Sequence, residues 1–268
     1  MDPLIERVLD ILKMLLSGRL IKEIRQVKLK IKNCMTAEQD QLSDRTGQEM
    51  KVSIVIPTLN ESKFISNPLK SLQAGQYSNY EVIVVDCMSE DDTVEKARRA
   101  GARVLVSSKK NVGYQVHLGF LDVKGDIIIK TDADTIFPRD FLTKTVKAFK
   151  NQKTMIYHAG HIYYDGNIIM NLMAHLYDKY WRKPWATTGH FIAVRREAYE
   201  KVTFNPLPKS QDYDFGQRAY DTLGPEAFAY NPNSTVLISS RTIKKLGLLR
   251  YVLYGGSFRI RERAHACS

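Results

Sequence analysis

The sequence predicts an α/β fold, a single domain around a mainly parallel central sheet with helices on both faces. Three observations predict it. Short unbroken apolar runs recur at Val52–Ile56, Glu81–Val85 and Asp126–Lys130, with a shorter one at Arg103–Val106. Strands buried on both faces read this way, without the polar alternation of a half-exposed sheet. Helix-like stretches separate the runs, the rhythm of βα units. Three of the runs also end in polar residues, at Pro57–Glu61, at Asp86 and at Asp132/Asp134. That places reactive side chains on one sheet edge, where open α/β sheets bind their ligands.

The elements follow in order. Ile5, Val8, Leu9, Leu12, Leu15 and Leu16 keep helical spacing. After Gly18 a second stretch, with Ile21, Ile24, Val27 and Ile31 among Lys and Arg, continues an amphipathic extension. Such a basic amphipathic helix suits an anionic membrane face, its own domain or a second subunit, as in a homodimer. Residues 34–50 are polar and read as a linker. Val52–Ile56 is stopped by Pro57, and helical sequence follows over about 62–74. Glu81–Val85 ends at Asp86, Asp91/Asp92-Thr93 begins a helix reaching Ala100, and Arg103–Val106 is the third strand. Residues 113–123 read as helix and Asp126–Lys130 as the fourth strand. Beyond 150 the pattern loosens, apart from a helix over Phe215–Tyr220 and a helix start near Arg241. The expected division is an extension and linker at 1–48, a catalytic domain at 49–240, and a basic, helical C-terminal tail at 241–268.

Composition bounds the function. The net charge is +11, but residues 1–32 carry eight Lys/Arg against four Asp/Glu, and 241–268 carry seven against one. The central part is nearly neutral, so the charge does not describe a nucleic-acid-binding domain; nucleic acid is not an expected partner. Three scattered cysteines, Cys34, Cys87 and Cys267, lack metal spacing and point to a reducing, cytoplasmic setting, peripheral on the inner membrane face. No apolar run of transmembrane length and no secretory leader is read.

Asp132-Ala-Asp134 after Ile127–Ile129 is the most informative motif. Two carboxylates at a buried strand's end form a hard oxygen site suited to Mn²⁺ or Mg²⁺, which complete their shells with water and substrate phosphate. An Asp-x-Asp is common by chance, and Asp212-Tyr-Asp214 is a second one.

The order of motifs resembles the inverting GT-A glycosyltransferases of the family 2 type. The similarity runs through Val52-Ser-Ile-Val-Ile-Pro-Thr-Leu-Asn-Glu61, Glu81-Val-Ile-Val-Val-Asp-Cys-Met-Ser-Glu-Asp-Asp-Thr93 and Lys109-Lys-Asn-Val-Gly-Tyr114. It continues through Thr131-Asp-Ala-Asp-Thr135, Thr188-Gly-His-Phe-Ile-Ala-Val-Arg-Arg196 and Ser210-Gln-Asp-Tyr-Asp214. Cys87, Met88, His117 and Gln211 depart from the family pattern.

The resemblance implies transfer of a sugar from a UDP- or GDP-linked donor to a glycan or lipid-linked acceptor, with inversion. It implies metal at Asp134 and Asp132, and Asp212 as general base, for which helix capping is the structural alternative. Asp214 is then a structural partner. Pro57, Thr58, Asn60, Glu61, Asp86, Asn111, Gly113 and Asp132 are expected around the nucleotide, with Asp86 accepting from the base's ring N–H and with Asn111 and Gly113 chiefly shaping the loop. Gly189, His190 and Arg241 are expected on the sugar and acceptor side. Lys109 and Lys110 face either phosphate or solvent, and Trp181 and Trp185 serve sugar, lipid or packing. A sugar-phosphate nucleotidyltransferase is the alternative, but Pro57–Glu61 lacks a Gly-rich phosphate loop. The missing Gly-x-Gly-x-x-Gly likewise argues against a dinucleotide-binding oxidoreductase.

Overall fold

The computed structural model describes residues 3–36 and 50–246. The four expected strands are present as β1 (Val52–Thr58), β2 (Tyr80–Asp86), β3 (Arg103–Val106) and β4 (Ile127–Thr131). Three more complete the sheet: β5 (Ile156–Tyr163), β6 (Phe191–Arg195) and β7 (Phe228–Ile238). The strand order is β3-β2-β1-β4-β6-β5-β7. β6 runs antiparallel to both β4 and β5, and the other pairings are parallel.

Neighbouring residues along the central strands divide between two cores. Ile54, Ile56, Ile127 and Ile129 belong to one cluster; Val55 and Ile128 belong to the other. Successive strand side chains point to opposite faces, so both faces must be covered. The first cluster is closed by α3 (Ser66–Gln73), α4 (Thr93–Arg99), α6 (Phe141–Phe149) and α7 (Ile168–Leu176). The second is closed by α5 (Val112–Leu121), α8 (Arg196–Lys201) and α9 (Gln211–Leu223). Each fully buried aliphatic side chain contributes roughly 1.5–3 kcal/mol, so this two-sided burial dominates stability.

The antiparallel β6 matters for function. Thr131 pairs with Phe191, so the segment just before β6 sits beside the residues just after β4. Asp132 and Gly189 thereby meet, although 57 positions separate them in the sequence.

The N-terminal extension is a hairpin of α1 (Pro3–Leu16) and α2 (Arg19–Thr36). Gly18, at φ +68, makes the break, because the left-handed region costs glycine little. α2 packs on the catalytic domain through one face. Val27 and Glu23 are buried there. The Glu23 carboxylate accepts from His175 Nε2 at 2.7 Å, Lys179 Nζ at 2.8 Å and Tyr180 Oη at 2.9 Å. Burial alone would raise the Glu23 carboxyl, but these hydrogen bonds prevail and hold it below its ordinary value. Lys179 and Tyr180 reach it from a π-helical turn, Tyr177–Trp181, that extends α7.

Two expected boundaries shift. α2 reaches Thr36, into the expected linker, the rest of which (37–49) lies outside the described residues. The expected C-terminal boundary at 240 falls inside the domain. α10 (Arg241–Leu246) buries Ile243 in the first core cluster, and the expected tail beyond it is outside the described residues.

Candidate active site

The end of β1, the start of α5 and the residues just after β4 line a cleft. Pro57, Thr58, Leu59 and Glu61 form one wall; Lys110, Asn111, Val112 and Gln115 form the other. Asp132 and Ala133 lie at its base and Arg241 crosses its mouth. Of the expected nucleotide-binding residues, Pro57, Thr58, Glu61, Asn111 and Asp132 line this cleft. Asn111 also caps α5, its side chain accepting from Tyr114 N at 2.9 Å and donating to Pro206 O at 2.8 Å.

Asp86, Asn60 and Gly113 do not line it. Asp86 is 1% exposed, and its carboxylate accepts from Thr58 Oγ1 at 2.8 Å, Ser89 Oγ at 2.6 Å and Ser89 N at 2.8 Å. In this structure its carboxylate ties Thr58 to the Ser89 turn. Asn60, at φ 54, joins the β1 and β2 loops by accepting from Glu90 N at 2.9 Å. A Cβ on Gly113 would stand 2.4 Å from Asn205 O, so this glycine is required by the close passage of residues 205–207 over α5. Lys109 is drawn aside over the Tyr114 ring, 4.7 Å from its centroid, and Lys110 is the lysine at the cleft.

The carboxylates converge behind the cleft. Lys130, with a side chain 2% exposed, donates to Asp132 Oδ1 at 2.5 Å and also to Gly189 O. A Cβ on Gly189 would stand 3.4 Å from Lys130 Nζ, 3.6 Å from Asp212 Oδ2 and 3.7 Å from Asp132 Oδ2. Those are ordinary contact distances, so packing does not demand glycine here. A methyl would instead fill the space between two acidic side chains.

Asp212 lies in the first turn of α9 and is 4% exposed. Ser210 takes the N-cap position, so Asp212 is not the cap. The first turn of a helix favours negative charge. Thr187 Oγ1 fixes the Asp212 backbone by donating to its carbonyl. Asp214 is held elsewhere, accepting from Asn205 Nδ2 and Arg218 Nε, each at 2.9 Å. His190 turns its ring onto His161, centroids 4.4 Å apart, while its carbonyl accepts from Thr131 Oγ1 at 2.9 Å. Its geometry is that of packing. Trp185 meets Tyr213 edge-on at 4.7 Å, and the Trp181 side chain is outside the described set.

Asp134 faces Arg241. Arg241 Nε stands 2.9 Å from Asp134 Oδ2, while its two terminal nitrogens reach Glu61 at 2.7 and 2.9 Å. Burial first, and then the charge of Asp132, push the Asp134 carboxyl up to about 6, against the pull of Arg241.

The description Glycosyl transferase family 2 matches residues 53–203, more than half of the chain. The chain belongs to this family. It is 30% identical over 179 residues to a dolichol-phosphate mannosyltransferase of Pyrococcus furiosus, covering 59% of this chain and 50% of that protein. A 36% identical stretch of 107 residues is shared with an undecaprenyl-phosphate 4-deoxy-4-formamido-L-arabinose transferase of Edwardsiella ictaluri, covering 36% of this chain and 33% of that one. The chain thus spans half or less of the length of these curated relatives. Its fold superimposes on glucosyl-3-phosphoglycerate synthase of Mycobacterium tuberculosis with a TM-score of 0.58 at 22% identity, over 76% of this chain and 77% of that one. A mannosyltransferase of Pyrobaculum calidifontis, in complex with GDP-Man and Mn²⁺, gives 0.55 at 20% identity, over 84% and 67%. The fold is therefore that of GT-A glycosyltransferases.

Two residues of this family 2 site escaped the sequence reading. Lys130 sits inside an apolar run, where a lysine reads as an exposed strand end. Gln115, 5% exposed, donates to Thr58 O at 2.9 Å and Val85 O at 2.7 Å, tying the ends of β1 and β2. No sequence signal marks either one, since both roles depend on strand order.

Proposed function

We propose that this family 2 protein is a metal-dependent, inverting glycosyltransferase using a UDP- or GDP-linked sugar and a lipid-linked phosphate or hydroxyl acceptor. The observation that carries the reading is the convergence of Asp132 and Asp212 on Gly189, with Asp132 also lining the cleft that Pro57, Thr58 and Glu61 line. Asp212 takes the acceptor proton, and the cleft holds the nucleotide against Thr58 and Asn111. Holding the two reactants in line supplies much of the rate, because it removes the entropy of their encounter.

The donor set fits a hard divalent cation. Asp134 already draws a cationic partner, and Asp132 lies beside it. Among the described residues no cluster of three or more His, Cys, Asp or Glu is arranged for a metal. Asp134 and Asp132 would thus hold Mn²⁺ or Mg²⁺ jointly with diphosphate oxygens and water, the usual arrangement for such ions. When bound, the cation neutralises charge building on the leaving diphosphate. Solved structures of this fold carry Mn²⁺ with GDP-Man or UDP-Glc, and two of the curated relatives are named for transfer to dolichol phosphate and undecaprenyl phosphate, which supports both halves of the reading. In a thermal-shift screen, UDP or GDP at a hundredfold excess over its Kd should add about 2.7 kcal/mol of stability, with Mn²⁺ required. No shift with any nucleotide, with or without Mn²⁺, would remove the donor assignment.

The acceptor reading extends to the N-terminal hairpin. The outer face of α2 carries Ile21, Lys22, Arg25, Lys28, Leu29 and Lys32, all exposed, while its lone carboxylate, Glu23, points inward. On α1, Leu12, Leu15 and Leu16 are exposed too. No helix among the described residues is long and apolar enough to cross a membrane. This face suits the anionic cytoplasmic surface of a bilayer, each basic side chain contributing about 1 kcal/mol. The protein should float with anionic vesicles at low salt and leave them when Lys22, Arg25, Lys28 and Lys32 are changed to Gln. A wild-type protein that ignores such vesicles and sediments as a dimer would assign the face to a second copy.

A further inference from the structure

Arg241 holds the very carboxylate that the proposed metal needs. Its Nε lies 2.9 Å from Asp134 Oδ2, and its terminal nitrogens grip Glu61 at 2.7 and 2.9 Å. The Phe64 ring lies beneath the guanidinium, 4.7 Å from ring centroid to the central carbon. Two of the site's cations, Lys130 and Arg241, hold its carboxylates, and they differ in freedom. The Lys130 side chain is 2% exposed and committed to Asp132 and Gly189 O. The Arg241 side chain is 39% exposed and springs from the first residue of α10, at the mouth of the cleft.

A buried carboxylate beside a second negative charge needs a compensating cation. Arg241 provides it to Asp134 in the absence of metal. A divalent ion at Asp134 brings two charges into the same place, and the guanidinium then loses its reason to remain. The diphosphate that completes the ion's shell brings new negative charge to the cleft mouth, within the sweep of a long side chain anchored there. Guanidinium groups bind phosphate oxygens in two-pronged fashion.

We propose that Arg241 is a resident stand-in for the metal, released from Asp134 when the ion binds and recruited by the diphosphate as a positioning residue. This rests on the metal and nucleotide reading above. It makes Arg241 a competitor of the metal and an ally of the nucleotide, two effects of opposite sign that a merely structural residue would not produce.

The test uses the full chain, with Mn²⁺ alone and then UDP or GDP with Mn²⁺. Free Mn²⁺ is followed by electron paramagnetic resonance and nucleotide binding by calorimetry. Arg241→Ala should bind Mn²⁺ about tenfold more tightly without nucleotide, and nucleotide about tenfold more weakly with Mn²⁺. Arg241→Lys should recover part of the nucleotide affinity, since it keeps the charge, yet hold Asp134 less well because it cannot also span Glu61. If wild type binds both ligands and Arg241→Ala binds Mn²⁺ no better, or nucleotide no worse, the exchange is wrong while the donor reading survives. If wild type binds neither Mn²⁺ nor nucleotide, both fall together.

Discussion

Asp212→Asn should lower sugar transfer by at least about a hundredfold while leaving nucleotide binding intact, the usual weight of a general base. The geometry separates these two quantities. Asp212 is 4% exposed, and its Oδ2 stands beside Gly189, while Pro57, Thr58, Glu61, Lys110 and Asn111 line the cleft proposed for the nucleotide. Asn keeps the size and accepts hydrogen bonds, so α9 and the Thr187 contact to the Asp212 carbonyl are preserved. What Asn cannot do is take a proton from the attacking hydroxyl. One base and one in-line displacement also require that the product be inverted at the anomeric carbon. Transfer by the variant at wild-type rate, or a product of retained configuration, would take the role from Asp212. The kinetic signature is a fall in kcat with KM for the donor little changed.

Much of the central fold was legible because burial on both faces leaves a plain mark. β1, β2 and β4 are short runs rich in Ile and Val, set at the spacing of βα units. β5 was not legible for a physical reason. All eight of its residues are buried, yet they include Tyr157, His158, His161 and Tyr163, whose polar atoms obscure the apolar signal. β6 reads as an apolar run, but its antiparallel direction cannot be seen in the sequence. The site divides in the same way. Asp132, Asp134 and Asp212 announced themselves by type and order. Lys130 and Gln115 act through contacts made by neighbouring strands, so composition and spacing hold no trace of them. Asp86 and Asn60 are expected at the nucleotide because they stand in the right turns, and Gly113 as a residue that shapes its loop. The structure shows all three holding those turns together.

Asp134→Asn should abolish metal-dependent transfer and, in metal-free solution at pH 7, make the protein more stable. The two outcomes share one cause. The Asp134 carboxyl is raised from 3.8 to about 6, chiefly by burial and next by the Asp132 charge, with Arg241 offsetting part of the rise. Below pH 3.8 the group is protonated whether the chain is folded or not, and it costs nothing. Between 3.8 and about 6 the unfolded chain ionises while the folded one resists, so stability falls as pH rises. Above about 6 the full penalty stands, on the order of 3 kcal/mol at 1.36 kcal/mol per pKa unit. Asn removes that charge and leaves Arg241 its two bonds to Glu61. Denaturant unfolding in EDTA should therefore show the variant more stable at pH 7 by up to about 3 kcal/mol, with the two proteins converging near pH 4. Added Mn²⁺ should reverse the order, because a ligand that binds the native state stabilises only the protein that still binds it. A variant less stable than wild type in EDTA at pH 7 would mean that the Arg241–Asp134 pair outweighs the burial of the charge. Normal transfer by the variant in EDTA would sink the metal assignment itself. A carboxylate kept at this cost to the empty protein is what a site built for a cation requires.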